Sequence, residues 1–351
     1  MDTTVSAPQS ATEHADTLTL DTRSAGMLAG VFIGDALAMP AHWYYDPAAL
    51  AQDYGEIRDY LAPRNPHPFS ILWRSQYQAP TPKGEILHAQ ARYWGQRDVH
   101  YHQFLRAGEN TLTVKLARLL WTSLNERRGW NADDYLQRYI NFLTTPGQHN
   151  DTYLEECHRN FFANYAREID PRHCAAVEKH IGGLAALFPI LAYDPDRLEL
   201  AREQALERLH LTHPGPRMRW AAETVFNVLE RLRAGHSATD AAHAVLLTIA
   251  PEVTRKRWQH LFEQETRTVL NRSIGTVCYV EQAIPAILYV MAKHGANPEQ
   301  ALIENTMAGG DNVHRGSVLG ALLGYAHGFD VWPQRWRAGL VEGIPFAVGD
   351  D

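Results

Sequence analysis

An all-α fold is predicted by three observations. Helical periodicity runs through most of the 351 residues, and no stretch alternates polar and apolar residues in a way that demands a sheet. The third observation is a pair of glycine stripes, Gly26-Gly30-Gly34 near one end and Gly316-Gly320-Gly324-Gly328 near the other. Residues four apart are neighbours on one helical face, and a face without side chains lets another backbone come close. Two such stripes predict that the two ends of the chain pack together and build one site.

In chain order, residues 1–20 are Thr/Ser/Ala-rich and read as a disordered tail, without the basic and apolar blocks of a signal peptide. Residues 21–351 are expected to form a single helical domain, opening with a helix from Thr22 to Ala38. A stretch of about 43–105, rich in Pro, Tyr, Trp and His, reads as a long irregular insertion with short helices, the kind of segment that often serves as a lid. Helices resume from Asn110, where Leu112, Leu116, Leu119 and Leu120 form an apolar face. Further helices are predicted over 131–143, 152–168, 173–189, 195–210, 216–234, 237–249, 254–270, 276–293, 298–307 and 315–327. Asn297-Pro298 is a good helix start, with Asn as cap and Pro in the first turn. Pro285 should kink the helix that contains it.

Composition narrows the function. The net charge is −7 with scattered basic residues, which argues against a nucleic-acid surface. The three cysteines, Cys157, Cys174 and Cys278, are odd in number and form no C-x-x-C pair, which fits a reducing compartment. No apolar run is expected to reach the roughly 18 residues of a membrane span. A cytoplasmic protein without nucleic-acid or membrane partners is the plain expectation. Oligomeric state is not legible.

Four segments place polar groups at helix ends, where backbone groups lack intrahelical partners. They are Gly34-Asp35 through His42, Gly108-Glu109-Asn110-Thr111, His180-Ile181-Gly182-Gly183, and Gly309-Gly310-Asp311-Asn312. A Gly-Gly-Asp turn at a helix start suits a cation or a phosphate. Each segment also has a plain structural reading: Asn110 and Thr111 as caps, Gly182-Gly183 as a packing point, His42 as a surface residue, Asp311 as a turn residue.

Taken in order, these segments resemble the ADP-ribosylglycohydrolase family, which includes the dinitrogenase reductase-activating glycohydrolases and certain crystallins. Ala29-Gly30-Val31-Phe32-Ile33-Gly34-Asp35-Ala36-Leu37 resembles its opening helix, and Gly108-Glu109-Asn110-Thr111 stands where it has T-D-D-T. Ile181-Gly182-Gly183-Leu184, with Phe188-Pro189 beyond, resembles its phosphate loop, and Leu211-Thr212-His213-Pro214 its T-H-x-x-P segment. Val280-Glu281-Gln282-Ala283-Ile284-Pro285-Ala286 resembles its V-E-T-L-P-A helix, and Gly309-Gly310-Asp311 begins its G-G-D-T-D-T motif. The resemblance spans about Ala25 to Gly328. It implies a compact orthogonal helix bundle in which two Mg²⁺ or Mn²⁺ ions assist cleavage of a ribosyl bond.

The ligand motifs depart from that pattern. Glu109 and Asn110 replace two aspartates, Val313 replaces a carboxylate, and His314 a threonine. His42 stands where the family often has a glutamate, Ala186 replaces an arginine and Ile181 an asparagine. The resemblance then implies Glu109, Asp311 and His42 as catalytic groups. It implies Asp35, Asn110, Thr111, Gly182, Gly183, His213, Asn312, His314 and Arg315 as substrate-binding residues. Glu109, Asn110, Asp311 and Asn312 become metal ligands. Two carboxylates balance one divalent ion, so at most one tightly held Mg²⁺ or Mn²⁺ is expected, or none. The expected function is hydrolysis of an ADP-ribosylated protein or related nucleotide-ribose conjugate. The alternatives are a non-catalytic ADP-ribose-binding or crystallin-like protein, or a glycosidase for another small glycoside.

Overall fold

In the computed structural model, which describes residues 18–249 and 252–349, the chain opens on a two-residue strand, β1 (Thr19–Leu20), and a long helix, α1 (Thr22–Ala38). Asp21 starts α1 by accepting the Arg23 and Ser24 amides. The insertion follows, with α2 (Pro47–Tyr54) and short 3₁₀ turns at Leu72–Arg74, Pro82–Gly84 and His88–Tyr93. Trp43, Leu72, Val99 and Tyr101 pack its irregular backbone from within.

The bundle then runs through α3 (Leu112–Arg127), α4 (Ala132–Thr144), α5 (Glu156–Tyr165), α6 (Leu187–Tyr193), α7 (Leu198–Thr212), α8 (Pro216–Arg233) and α9 (Ala238–Ile249). It closes with α10 (Glu252–Glu263), α11 (Thr266–Val269), α12 (Val280–His294), α13 (Pro298–Met307), α14 (Asn312–His327) and α15 (Gln334–Gly339). Asn297 caps α13 through the Gln300 amide, with Pro298 in the first turn, as the sequence predicts.

A central pair organises everything else. Helices α1 and α14 are buried on nearly all sides, as helices that are apolar all round must be. They run antiparallel with their glycine stripes facing. A Cβ added to Gly30 would lie 2.1 Å from the Gly320 carbonyl oxygen, one on Gly34 2.0 Å from that of Gly316, and one on Gly26 2.4 Å from that of Gly324. No side chain fits in this seam. The remaining helices wrap the pair, with α3, α6, α8, α9, α12 and α13 against it or against one another.

Several expectations need correction. The expected tail boundary at residue 20 is too late, because Thr19–Leu20 pairs in parallel with β2 (Ala347–Val348); residues 1–17 of that tail lie outside the described residues. Thr22–Ala41 is long and apolar enough to cross a membrane (mean hydropathy 1.4), against the reading that no run reaches that length. The whole stretch is buried in the protein, so its apolarity is that of a core helix. No helix spans 173–189: Pro171–His173 is a 3₁₀ turn, 174–179 have no regular secondary structure, His180 bridges to Tyr279, and Ile181–Ala186 forms a 3₁₀ turn before α6. The Ile181 amide bonds the Cys278 carbonyl and the Val280 amide that of Lys179. That pairing also delays the start of α12 to Val280. The predicted 254–270 helix divides into α10 and α11, and α11 continues as a π-helical turn, Leu270–Ile274. Helix α12 continues through Pro285, with Ala286 to Ala292 buried beyond it.

The seam makes a direct prediction. Gly30→Ala and Gly320→Ala each force backbone apart and should cost about 2 kcal/mol or more, read as a lowered denaturation midpoint. An unchanged midpoint in either variant would show that the helices part freely.

Candidate active site

The antiparallel seam carries the end of α1 to the start of α14. Beyond α1, a 3₁₀ turn, Met39–Ala41, delivers His42. Opposite it, Gly309 and Gly310 adopt positive φ of 65° and 62°, a conformation that glycine takes without strain. Their turn is clamped on both sides: the Gly310 amide bonds the Tyr44 carbonyl (2.7 Å), the Trp43 amide bonds the Gly310 carbonyl (2.7 Å), and the Asp311 amide bonds the Thr276 carbonyl (2.8 Å). Arg315 completes the clamp, donating to the carbonyls of Thr276 (2.9 Å) and Gly309 (2.7 Å). Asp311 and His314, three residues apart at the start of α14, therefore face His42.

The result is a largely buried chain of carboxylates and imidazoles, Asp151–His102–His42–Asp311–His314–Glu155, with two imidazoles adjacent. Asp151 bonds His102 Nδ1 and also accepts the Leu112 amide. His102 Nε2 lies 2.6 Å from His42 Nδ1, with the rings 8° from parallel. His42 Nε2 lies 3.0 Å from Asp311 Oδ1. His314 Nδ1 lies 2.8 Å from the same oxygen, an ion-pair contact off the hydrogen-bond axis. On the far side, His314 Nε2 is 3.0 Å from Thr113 Oγ1 and 3.3 Å from Glu155 Oε1, and Thr113 Oγ1 donates to Glu155 at 2.7 Å.

Burial and neighbours set the charges. Burial alone would raise Asp311, but His314 and His42 outweigh it and hold the carboxyl well below the usual range. Glu155 is held low against burial chiefly by His314, and Asp151 by His102. Burial would lower His314, yet the flanking Asp311 and Glu155 carboxylates hold it well above its ordinary value. Burial pushes His42 down to about 4 despite its bond to Asp311, so that ring is neutral at pH 7.

The other sequence-predicted residues have different work. Glu109 accepts from Lys115 Nζ (2.6 Å) and the Arg106 amide (3.0 Å), and it does not line the small cavity shared by His42, Thr111 and His314. The partners of Glu109 are Lys115 and Arg106, and those of Asp311 are His42 and His314, so the two carboxylates share no partner among these contacts. Asn110 spends its amide nitrogen on the Phe32 carbonyl (2.8 Å) and Asp35 (2.9 Å), and its oxygen accepts from Arg118 (3.0 Å). Asp35 also accepts the Thr111 amide (2.8 Å) and hydroxyl (2.6 Å). These contacts tie α1 to the start of α3 and leave Asp35 no free oxygen. Arg315 is likewise consumed by the turn.

Asn312 donates to the Thr306 carbonyl (2.9 Å), and its oxygen is buried without a partner. At Gly182 a Cβ would lie 2.6 Å from Glu155 Oε2, and at Gly183 one would lie 2.5 Å from His213 Cγ. The two glycines thus make room for Glu155 and His213. His213 itself is buried, bonds Thr212 (2.8 Å) and is pushed by burial down to about 3.

His102, Thr113, Asp151 and Glu155 were not singled out by sequence reasoning. The one available signal was the histidine-rich run His100-Tyr101-His102 inside the insertion.

Among the described residues two groups could hold an ion: His42, Asp311 and His314, and Glu155, Cys157 and His213, with donor atoms in each within 4.8 Å of one another. A pair of hard, oxygen-ligated ions does not fit. Glu109 and Asn110 are committed to cationic side chains, and Val313, at the lost carboxylate position, packs with Ala38, Met39 and Leu105. Hard cations want six or more oxygens around them.

The sequence matches the family described as ADP-ribosylglycohydrolase over residues 16–350. No curated protein matches it. A solved structure described as an "ADP-ribosylglycohydrolase-related protein complex" is similar with a TM-score of 0.59 at 20% identity, covering 91% of this chain and 92% of that one. At that identity the likeness speaks to the fold.

Asp35 yields a pH prediction. Burial, which outweighs the bonds from Thr111 and Asn110, raises its carboxyl from 3.8 to about 6. A raised carboxyl contributes stability that is full below pH 3.8 and lost as the pH rises through 6. Against Asp35→Asn, the native protein should therefore lose up to about 3 kcal/mol between those limits, measured as unfolding free energy across pH. A constant difference between the two proteins would show that Asp35 does not titrate in that window.

Proposed function

The chain belongs to the ADP-ribosylglycohydrolase family, and on that premise we propose that it hydrolyses a ribosyl glycosidic bond in an ADP-ribosylated protein or a related nucleotide-ribose conjugate. The observation that carries this reading is where the buried carboxylate–imidazole chain ends. Glu155 and His314 line the inner wall of a cleft of about 230 Å³ whose other walls include Trp43, Tyr45, Ile71, Tyr153 and Tyr279. Aromatic walls with a few convergent polar groups are what a small-molecule site requires. A second cavity of about 380 Å³ shares Glu156, His180 and Tyr279 with the first and adds Lys179 and Arg217. The second also carries Glu178, and Arg217 pairs with Glu281 (2.6 Å), so its charge is mixed; the two together have room for an elongated ligand, with a pentose beside Glu155 and His314.

The chemistry follows from the charges. Cleaving a ribosyl bond develops positive charge at the anomeric carbon, which an anionic wall stabilises. Glu155, oriented by Thr113 and His314, faces the cleft and can take a proton from the water whose oxygen bonds the anomeric carbon as the glycosidic bond breaks, while the protonated His314 beside it can give a proton to the leaving group. Asp311 acts through His314 as a positioning residue. Mg²⁺ or Mn²⁺ held by Glu109 and Asn110 has no part in these steps, because both residues are engaged elsewhere.

A non-catalytic binder is the second reading. It is favoured by Val313, whose apolar packing fills a position where the family places a carboxylate.

Glu155→Gln should lower ADP-ribose release from ADP-ribosylated protein by about 100-fold or more, while free ADP-ribose binds the variant within a few-fold of the native protein. Chromatography of released ADP-ribose and calorimetry read the two quantities. Binding without release by the native protein would favour the binder, and absence of both would end the family-based reading of the substrate.

A further inference from the structure

The arrangement of His42, Asp311 and His314 has an additional property that does not depend on which bond, if any, the cleft hydrolyses. We infer that these three side chains form a site for a single borderline transition-metal ion of the zinc, cobalt or iron(II) class, in place of two hard ions. Their donor atoms, His42 Nε2, His314 Nδ1 and an Asp311 oxygen, lie within 4.8 Å of one another, and all three residues are buried.

One hydrogen bond joins the trio, His42 Nε2 to Asp311 Oδ1 at 3.0 Å, and beyond it the pairing is incomplete in the manner of ligands. His314 Nδ1 stands 2.8 Å from Asp311 Oδ1 yet is not aligned with it as a hydrogen bond, and Asp311 Oδ2 is fully buried with no partner. Buried polar atoms are almost always paired, and a shared ion satisfies both at once.

The outer contacts point the same way. Metal-bound imidazoles almost always give their second nitrogen to an acceptor, which orients the ring. His42 Nδ1 faces His102 Nε2 at 2.6 Å, and His102 Nδ1 is bonded in turn to Asp151. His314 Nε2 faces Thr113 at 3.0 Å and Glu155 at 3.3 Å. With an ion on His42 Nε2, the His42 and His102 rings each donate outward through Nδ1, and both contacts are satisfied by neutral rings.

Donor type selects the ion. Two imidazoles and one carboxylate suit zinc, cobalt and iron(II), whereas magnesium prefers oxygen alone. Rigidity comes from the Gly309-Gly310 turn, wedged between Tyr44 and Thr276 backbone.

The test is titration of chelator-treated full-length protein with Co²⁺, followed by visible absorption and elemental analysis. One equivalent with the d–d bands of a nitrogen-rich site is expected, together with a raised melting temperature. His314→Gln and Asp311→Asn should weaken binding at least about 100-fold, and His102→Gln about 10- to 100-fold with the bands retained. X-ray absorption of the zinc-loaded native protein provides a readout that needs no variant to fold, and it should show two imidazoles per ion. Absence of Co²⁺ bands, two equivalents of ion, or an oxygen-only shell overturns the inference. None of these outcomes bears on whether ADP-ribose is released.

Discussion

The backbone-to-backbone contact between α1 and α14 is the constraint on which the rest depends. Six glycines face one another across it in the pairs Gly26–Gly324, Gly30–Gly320 and Gly34–Gly316. Their register decides which residues meet beyond the ends of the two helices. His42 lies eight residues past Gly34, and Asp311 five residues before Gly316. With the helices antiparallel, the two emerge on the same side. A slip by one turn would carry Asp311, together with His314, away from His42 and strip a buried carboxylate of one of its two imidazoles, at several kcal/mol. Packing and electrostatics therefore select the same register.

Around that meeting point the protein buries two carboxylates, Asp151 and Asp311, and three imidazoles, His42, His102 and His314, with Glu155 half-buried at the edge of the cleft. Isolated charges could not remain ionised there. Pairing is the solution: in the row from Asp151 to Glu155 each acid faces a ring nitrogen, and His102 and His42 face each other. The insertion and the 150–155 segment supply the outer members of the row. Those irregular stretches are held by aromatic packing instead of helical periodicity, with the Trp43 ring against Tyr101 and Tyr153.

The all-helical class, the glycine seam and the α13 start were legible because each rests on local spacing, which a sequence displays directly. The meeting of His42 with Asp311 and His314 was legible through the seam and the order of the motifs. The outer members were not. His102, Asp151 and Glu155 lie in segments without period, and nothing in their neighbours marks them until the chain folds. Glu109 and Asn110 misled for a related reason. They occupy motif positions, but Lys115 and Arg118, one to two turns along α3, capture them. A sequence shows that a carboxylate or amide is present, not which cation reaches it first. The 173–189 stretch failed because its pairing partner, Tyr279, is about a hundred residues away.

The seam also sets a schedule for synthesis. Its two halves are separated by nearly the whole chain, so contact must wait until α14 has left the ribosome. Until then α1, apolar all round, has no glycine face to meet and must be sheltered by provisional contacts or by chaperones. Closing so long a loop is slow compared with forming local helices. His42, made early, waits for Asp311 and His314, made late. Truncated chains that end before α14 therefore lack the site as well as part of the core, and the protein does not acquire its buried acid–imidazole row piecemeal during translation.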